Sequence, residues 1–310
     1  MTPGPLPPPS RHGGDAASIA HALGLDPASM VDLSASMNPF APAIGRLVSD
    51  AIARDRHALT AYPDPSEATY ALAHAIGVDP DLLVLTNGGA EAIALVAAEM
   101  PVGNIVEPEF SLYRRHLAAV DAAAPRWRSN PSNPMGRLAA ATDAAAVWDE
   151  AFYPLATGNW TRGDADSWRL GSLTKLWACP GLRLGYVIAP TPDAAGIIGH
   201  RQVRWSVNGL ALAVVPDLIR QTRLGEWHRG IGELRSELTA TLRAIGYETR
   251  TTAVNWVLIR QAGLRAALAP YGVVVRDCTS FGLPELHRVA LPRPEDLDRV
   301  ISAFTDVRRR

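Results

Sequence analysis

The chain of 310 residues is 47% hydrophobic and 20% charged, and its formal net charge is −1. This length suffices for one large domain with a smaller one, and the charge gives no reason to expect nucleic acid or a membrane surface as a partner. Two cysteines, Cys179 and Cys278, are too few for a disulfide framework or a cysteine-based zinc site, and we expect no metal. No apolar run reaches the length of a membrane span, and the Pro-rich residues 1–10 lack the pattern of a signal peptide. We therefore expect a soluble, cytoplasmic protein.

In chain order, short apolar runs alternate with helical patterns. The runs that predict strands are residues 84–86, 104–106, 144–148 and 184–189. Helical spacing predicts helices at 91–100 and 111–120, and we interpret the Ala-rich residues 118–124 as a helix end. A strand, a glycine turn and a helix in succession form the unit of an α/β sheet, so we expect a mixed, mostly parallel sheet.

The C-terminal part predicts a helix at 225–245, strands at 252–260 and 273–276, and a closing helix at 295–307. The resulting α/β fold has a large domain and a small α+β domain. We expect domain limits of 1–45 for an N-terminal arm with part of the small domain, 46–208 for the large domain, and 209–310 for the rest of the small domain.

Lys175 lies beside the hydroxyl side chains of Ser172 and Thr174 and before the apolar pair Leu176-Trp177. Most lysines are solvated surface charges, but burial would lower the pKa of this amine and make it nucleophilic. A pyridoxal-phosphate site needs such an amine, together with a carboxylate, phosphate donors, an aromatic face and an arginine for substrate. Each of these groups has a candidate in the sequence.

Residues 172–186 read S-L-T-K-x4-P-G-L-R-L-G-Y. This segment resembles the cofactor-lysine motif of the class I and II aminotransferases and their decarboxylase relatives. The resemblance implies the aspartate-aminotransferase-like fold (fold type I), with pyridoxal 5'-phosphate bound to Lys175 as a Schiff base. It also implies that Ser172 and Arg183 hold the cofactor phosphate.

Asp149 ends a predicted strand in the run W-D-E-A-F, at an edge where parallel sheets bind ligands. On its own this pattern favours an exposed loop acid. By resemblance to the family's D-E-A-[YF] motif, Asp149 pairs with the protonated ring nitrogen of the cofactor. Phe152 stands where many members have a tyrosine, so the hydroxyl that those members place near the cofactor's phenolic oxygen is absent.

Two further segments match family motifs that contact the cofactor. Residues 130–136, N-P-S-N-P-M-G, resemble N-P-x-N-P-T-G, which implies that Asn133 contacts the phenolic oxygen; Met135 replaces the usual threonine. Residues 87–91, N-G-G-A-E, open a helix, and amide groups at a helix N-terminus bind phosphate. We therefore expect Gly89 and Ala90 to be phosphate donors.

Aromatic residues supply the remaining cofactor contacts. The run E-P-E-F-S-L-Y resembles the segment with the ring-stacking residue; we assign that role to Tyr113, with Phe110 as the alternative. Either one could instead be a core aromatic. Residues 62–64, Y-P-D, match a family motif in which Tyr62 reaches the phosphate of the partner subunit, which implies a homodimer with shared active sites.

Three further segments favour one subgroup within the family that the chain resembles. His12 opens H-G-G, Asn38 lies in L-S-A-S-M-N-P (with Ser36 in place of an asparagine), and residues 205–208 read W-S-V-N. These resemble the threonine-phosphate decarboxylases of cobalamin biosynthesis more than the histidinol-phosphate aminotransferases, which share the core motifs. We expect His12 and Asn38 to lie near the substrate.

Arginines complete the expected site. The run H-R-V-A-L resembles the family segment in which the arginine, Arg288, binds the substrate α-carboxylate through a bidentate fork. Arg276, at a predicted strand end, stands where the decarboxylases place an arginine for the substrate phosphate, although it could be a surface residue.

These matches favour a decarboxylase of threonine phosphate that yields aminopropanol phosphate. The alternatives are an aminotransferase of the histidinol-phosphate type and a non-catalytic relative. The chain is short for the family, with segments 114–129 and 137–147 trimmed. We expect this trimming to thin the large-domain sheet or to expose one of its faces.

Overall fold

The structure is a computed structural model, and it describes residues 5–309. They divide into a terminal unit, residues 5–40, 134–137 and 229–309, and a central unit, Ala41–Asn133 and Leu138–His228. The domain limits predicted after residues 45 and 208 stay a prediction. None of the described helices is long and apolar enough to cross a membrane.

The strands, in chain order, are β1 Val31–Leu33, β2 Leu83–Asn87, β3 Val102–Gly103, β4 Ala119–Val120, β5 Trp127–Ser129, β6 Val147–Asp149, β7 Trp168–Gly171, β8 Leu184–Ile188, β9 Thr249–Arg250, β10 Trp256–Arg260, β11 Val273–Asp277 and β12 Leu286–Ala290. The α-helices are α1 Ala16–Leu23, α2 Ile44–Arg54, α3 His57–Thr60, α4 Ser66–Ile76, α5 Gly88–Glu99, α6 Leu112–His116, α7 Tyr153–Thr157, α8 Leu173–Leu176, α9 Pro192–Arg201, α10 Gly209–Arg220, α11 Leu224–Ala244, α12 Leu264–Leu268 and α13 Leu297–Arg309.

The central unit contains a five-stranded sheet of order β2-β8-β7-β6-β5. Strands β5, β6 and β7 run parallel, whereas β8 is antiparallel to both of its neighbours. A separate parallel pair, β3-β4, adjoins this sheet through a bridge between Asn104 and Arg126. The mixed, mostly parallel sheet expected from the sequence is therefore present, and the adjoining strands β3 and β4 have only two residues each.

One face of this sheet packs against α5. Strand residues alternate between faces, and those on the α5 side include Val147, Leu170 and Val187. They form a continuous core with Ile93 and Val96 of the helix. This packing holds α5 against the sheet. The first turn of α5 is part of the candidate site.

Trp148 lies on the opposite face and is completely buried. The guanidinium of Arg162 lies 4.7 Å from its ring centroid, and that of Arg128 lies 5.7 Å away. Arg162 also donates hydrogen bonds to the carbonyls of Ala140, Ala141 and Asp143, at 2.8–2.9 Å. The trimmed segment 137–147 thus has no helix, but its later residues are held over the sheet by one arginine.

Three expectations about this region were wrong. The helix predicted at 111–120 ends at His116, and the Ala-rich residues 118–124 include strand β4 and are no helix end. Pairing with β3 overrides the helix propensity of alanine here. The strand predicted at 104–106 lies instead at Val102–Gly103, followed by a single bridge at Asn104.

The terminal unit contains a sheet of order β1-β11-β12-β10-β9, in which only β1 and β11 pair in parallel. Its strands β10, β11 and β12 are buried almost throughout. Helix α13 contributes Val300 and Phe304 to the core, and the hydroxyl of Tyr247 donates to the Phe304 carbonyl at 2.9 Å. The helices and strands predicted after residue 225 are present with shifted ends.

The covering of Trp148 leads to a stability prediction. Arg162→Lys keeps the charge but loses the planar fork that reaches three carbonyls, so we expect the free energy of unfolding to fall by about 2 kcal/mol. Urea unfolding measures this loss. The control is Arg201→Lys, which alters a half-exposed ion pair with Glu99 and should cost less than about 0.5 kcal/mol. Equal losses for both variants would show that the segment does not depend on the Arg162 guanidinium.

Candidate active site

The carboxyl ends of β5, β6 and β7 lie side by side in the central unit. Ser129 pairs in register with Asp149, and Asp149 with Leu170. Ligands bind at this edge of parallel sheets because the strands end there and loops with free polar groups begin. Helix α8, which carries Lys175, starts directly after β7. Asp149 and Lys175 therefore follow the ends of neighbouring strands.

Lys175 is the only lysine among the 310 residues. Its side chain is half-buried, and its neighbours Thr174 and Leu176 are buried. The Thr174 hydroxyl donates to the Leu184 carbonyl at 3.1 Å, which ties the short helix α8 to β8. The count of one lysine is itself a sequence signal, because no other side chain among the 310 residues can supply an ε-amine.

Asp149 receives two hydrogen bonds from neutral donors. The Tyr113 hydroxyl donates to Oδ2 at 2.7 Å, and the Ala151 amide donates to Oδ1 at 3.0 Å. Burial raises the pKa of Asp149, and these two bonds oppose that rise. A carboxylate held in this way suits a positively charged ligand group, and a protonated ring nitrogen is such a group.

Tyr113 has no exposed surface. It lies in the core beside Trp127, with ring centroids 6.0 Å apart, and Phe110 meets it edge-on at the same distance. A ring enclosed in this way has no face left for a ligand, whereas Phe110 is only half-buried. The geometry thus favours Phe110, the alternative named from the sequence, as the stacking residue, and it gives Tyr113 the task of orienting Asp149.

The start of α5 forms a narrow cradle. Gly88 has φ +75°, and a Cβ at that position would lie 2.5 Å from Nη2 of Arg183. A Cβ on Gly185 would lie 2.6 Å from the Gly88 carbonyl carbon and 2.7 Å from the Gly89 nitrogen. Only glycine permits this approach, and Ser172 borders it, with its Cβ 3.7 Å from where a Cβ of Gly89 would lie.

This cradle suits a phosphate group. The amides of Gly89 and Ala90 belong to the first turn of a 12-residue helix, where the helix dipole favours an anion. The guanidinium of Arg183 and the hydroxyl of Ser172 add a charge and a donor. The structure therefore brings together the phosphate ligands predicted from the sequence, namely Gly89, Ala90, Ser172 and Arg183. It also shows that Gly88 and Gly185, to which the motifs assign no role, permit the close approach.

Glu91 fixes the loop that follows α9 to the start of α5. Its Oε2 accepts hydrogen bonds from the Asn87 amide at 2.6 Å, from Gln202 at 2.9 Å and from the Ser206 hydroxyl at 3.1 Å. Asn208 caps α10 through the Ala211 amide. Two residues of the W-S-V-N segment thus have structural tasks within the central unit.

Tyr62 and Trp205 form a stacked pair, with ring centroids 4.2 Å apart. Both rings are exposed, 76% for Tyr62 and 53% for Trp205. Trp205 holds this position with a positive φ of 58°, which is unusual for a residue other than glycine. The Y-P-D and W-S-V-N segments therefore present one aromatic surface.

Asn133 is buried, and its backbone amide donates to the Ser129 hydroxyl at 3.0 Å. This bond ties the N-P-S-N turn to the end of β5, beside Asp149. Phe152 is buried at the N-cap of α7. Nothing in the structure explains why methionine occupies position 135.

In the terminal unit, Arg276 and Arg288 lie directly opposite each other on adjacent antiparallel strands. Both are almost fully buried, and paired positions of this kind lie on the same face of a sheet. Arg288 donates to the Ser34 carbonyl at 3.1 Å and lies 4.9 Å from the ring centroid of Trp256. Burial lowers the pKa of Arg288 to about 10, so it keeps its charge at neutral pH.

Arg276 also contacts the N-terminal arm of the terminal unit. Its guanidinium donates to the carbonyls of Ser10 and Arg11, and to the Ser280 hydroxyl at 2.8 Å. Two like charges buried opposite each other repel, and an anion bound at this face would relieve the repulsion.

The predicted substrate residues His12 and Asn38 belong to the same unit. His12 is exposed and precedes Gly13, where a Cβ would lie 2.6 Å from the Ser34 carbonyl oxygen, the atom that Arg288 contacts. Asn38 is buried, and its Oδ1 accepts from the Phe40 amide at 3.0 Å. The H-G-G segment and Arg288 therefore meet at Ser34, whereas the side-chain oxygen of Asn38 shapes a local turn.

The sequence profile of the family described as "Aminotransferase class I and II" matches residues 129–304. The chain belongs to this family. Its members are pyridoxal-phosphate enzymes, so pyridoxal 5'-phosphate is the cofactor and the protein is an enzyme. The matched range includes Asp149, Lys175 and Arg183, and the cradle at α5 fits the cofactor phosphate.

Two curated relatives and one solved structure show where the similarity lies. The threonine-phosphate decarboxylase of Salmonella typhimurium is 27% identical, over 96% of each chain. A histidinol-phosphate aminotransferase of Haloarcula marismortui is 28% identical, over 96% of this chain and 95% of its own. The histidinol-phosphate aminotransferase of Sinorhizobium meliloti, solved with pyridoxal-5'-phosphate, superposes with a TM-score of 0.79 at 17% identity, covering 95% of this chain and 94% of its own. The aspartate-aminotransferase-like fold expected from the sequence is confirmed.

The cradle leads to a prediction with a control variant four residues earlier in the chain, in the loop before β8. Gly185→Ala would push its Cβ into the backbone of Gly88 and Gly89, which cannot yield cheaply, so we expect a loss of about 1–3 kcal/mol in stability and weaker cofactor binding. Gly181→Ala meets open space and should leave both unchanged. Thermal unfolding and cofactor titration measure the two effects. A Gly185→Ala variant that matched Gly181→Ala would refute the close approach.

Proposed function

We propose that this family member acts on a phosphorylated amino acid and that its reaction is the decarboxylation of threonine phosphate to aminopropanol phosphate. The observation that carries the proposal is the buried pair Arg276 and Arg288, opposite each other on one sheet face. A substrate with both a carboxylate and a phosphate offers two anionic groups to two arginines. The similarity to the Salmonella typhimurium decarboxylase supports this reading.

Within the central unit, we assign the cofactor to residues at the strand ends and at the start of α5. Lys175 forms the covalent link, Asp149 pairs with the ring nitrogen, Phe110 stacks on the ring, Asn133 contacts the phenolic oxygen, and Gly89, Ala90, Ser172 and Arg183 hold the phosphate. When bound, the cofactor withdraws electrons from the α-carbon of the substrate. Asp149 sustains that withdrawal because its negative charge keeps the proton on the ring nitrogen.

In the terminal unit, we assign the substrate carboxylate to Arg288 and the substrate phosphate to Arg276. Arginine suits both because its fork donates two parallel hydrogen bonds to a carboxylate or a phosphate. We place His12 and Asn38 among the residues near the substrate. The way in which Arg288 holds the carboxylate would then influence which bond at the α-carbon breaks: in decarboxylation the carboxylate would be lost as carbon dioxide, and the α-carbon would take up a proton in its place.

The second candidate is an aminotransferase of the histidinol-phosphate type, and the similarity to the Haloarcula marismortui protein supports it. In that reaction the substrate would keep its carboxylate, and the amine of Lys175 would take the α-hydrogen as a proton. The two candidates share the cofactor residues and differ only in how the substrate is held.

We further propose a cytoplasmic homodimer. The exposed stack of Tyr62 and Trp205 supports a subunit contact, because large aromatic side chains at a surface commonly mark interfaces. In such a dimer Tyr62 would reach the cofactor phosphate of the partner.

The deciding experiment is incubation of the holoenzyme with threonine phosphate, with and without an added keto acid. The proposal expects release of carbon dioxide and aminopropanol phosphate without any keto acid. Amino transfer that requires the keto acid, with no carbon dioxide, would replace the proposal by the second candidate.

A substitution tests the assigned phosphate ligand in the same assay. Arg276→Lys removes the fork and should lower kcat/KM for threonine phosphate by about 100-fold, while turnover of threonine itself should change little. Arg260→Lys, at a half-exposed residue of the same sheet, serves as the control. An equal effect of Arg276→Lys on both substrates would place the phosphate elsewhere.

A further inference from the structure

Glu109 is a buried acid next to the cofactor residues that the proposed chemistry does not use. It lies just before α6, and only 5% of it is exposed. Its carboxylate accepts two hydrogen bonds from Ser129: Oε1 from the backbone amide at 3.1 Å, and Oε2 from the hydroxyl. An acid is rarely buried to this extent unless it is well bonded or has a task.

The hydroxyl of Ser129 connects Glu109 to the N-P-S-N turn. While it donates to Glu109, the same oxygen accepts a hydrogen bond from the backbone amide of Asn133 at 3.0 Å. Ser129 is also the residue in register with Asp149. Glu109 therefore supports, through one serine, the turn that carries Asn133, beside the strand end that carries Asp149.

Several charged and titratable groups surround this carboxyl. Asp149 on β6 repels it, and Arg126 before β5 attracts it. Burial raises the pKa of the Tyr113 hydroxyl on α6, and the charges of Asp149 and Glu109 raise it further. Glu107, in the same loop as Glu109, accepts from the Glu109 backbone amide at 2.7 Å. Burial, with the charge of Asp149, raises the pKa of Glu109 to about 7, despite the bonds from Ser129.

We propose that Glu109 is a positioning residue for the cofactor ring: as a carboxylate it holds Ser129 and the Asn133 turn in place and adds negative charge beside Asp149. The inference rests on the roles proposed above for Asp149 and Asn133. A second negative charge near the ring nitrogen strengthens the hold on its proton. The fixed turn keeps Asn133 oriented before the cofactor arrives.

Protonation changes the hydrogen bonds that the Glu109 carboxyl group can accept and donate. An ionised carboxylate accepts both bonds from Ser129, whereas a protonated carboxyl has one acceptor oxygen and one donor. Glutamine has the same pattern of one acceptor and one donor at every pH. The wild-type protein should therefore resemble Glu109→Gln in acid, where Glu109 is protonated, and differ from it in mild alkali.

The test measures the dissociation constant of pyridoxal phosphate for cofactor-depleted wild type and Glu109→Gln at several pH values. The variant should bind about tenfold more weakly than wild type near pH 8.5 and within about twofold of it near pH 6. Glu99→Gln, which removes a charge at the far end of α5, should match wild type throughout. Glu109→Asp, which restores the charge on a shorter side chain, should recover part of the loss.

A second readout needs no cofactor. Between the ordinary pKa of 4.5 and about 7, folded protein keeps the Glu109 proton that unfolded protein loses. Stability of the cofactor-free protein contributed by this group therefore falls as pH rises through that window and is level above it. In thermal unfolding, the stability of Glu109→Gln should therefore decrease less than that of wild type as the pH rises through this window. The stability of Glu99→Gln should decrease as much as that of wild type.

The outcomes separate the possibilities. A ratio of dissociation constants that stays the same at every pH would mean that Glu109 only fills space, and a ratio of one throughout would mean that it has no role; either overturns the inference. Asp149→Asn in the same titration shows which idea has failed. If Asp149→Asn binds cofactor as well as wild type, the site assignment is at fault; if only Glu109→Gln does, the assignment stands and this inference falls.

Discussion

The parallel pairing of β5, β6 and β7 determines the arrangement of the cofactor site. Because the three strands are in register at their carboxyl ends, Ser129, Asp149 and the start of α8 come to one edge of the sheet. Asp149 and the only lysine of the chain, Lys175, thus lie at the ends of adjacent strands. A shift of one residue in either pairing would turn Asp149 to the other face of the sheet.

Each unit contains charged groups that are shielded from solvent, and each unit stabilises them differently. In the central unit, Asp149 and Glu109 are stabilised by hydroxyl and amide donors from Tyr113, Ser129 and Ala151. In the terminal unit, Arg276 and Arg288 are satisfied in part by backbone carbonyls and by the ring of Trp256. Charges held by neutral partners keep most of their field for a ligand, which is what cofactor and substrate binding require.

The placement of motif residues such as Lys175 and Asp149 at strand ends could be predicted from the sequence, because periodicity locates the strands, whereas their roles toward the cofactor stay predictions. What could not be predicted depended on tertiary contacts. Whether Tyr113 or Phe110 faces the ligand depends on burial in the α5 core, and the Ala-rich segment after His116 became a strand because β3 was available as a partner. No motif in the sequence points to Glu109. Only its burial beside Ser129 and Asp149 in the structure suggests a role.

The trimmed segments illustrate the same limit. The sequence indicated that the sheet would lose strands or expose a face, but β3 and β4 persist as two-residue strands, and Trp148 remains buried beneath Arg162. Arg162 donates hydrogen bonds to three carbonyls and covers this sheet face where no helix is present. The local sequence gives no indication of such long-range bonds.

The most direct test of the account is borohydride reduction of the protein loaded with pyridoxal phosphate, followed by mass mapping of the denatured chain. We predict one cofactor per chain, on the peptide that contains Lys175, and none on Lys175→Arg, which keeps the positive charge but has no primary amine. Because Lys175 is the only lysine, attachment elsewhere would have to involve the chain's α-amine. A cofactor that survives denaturation equally well on Lys175→Arg would contradict the account.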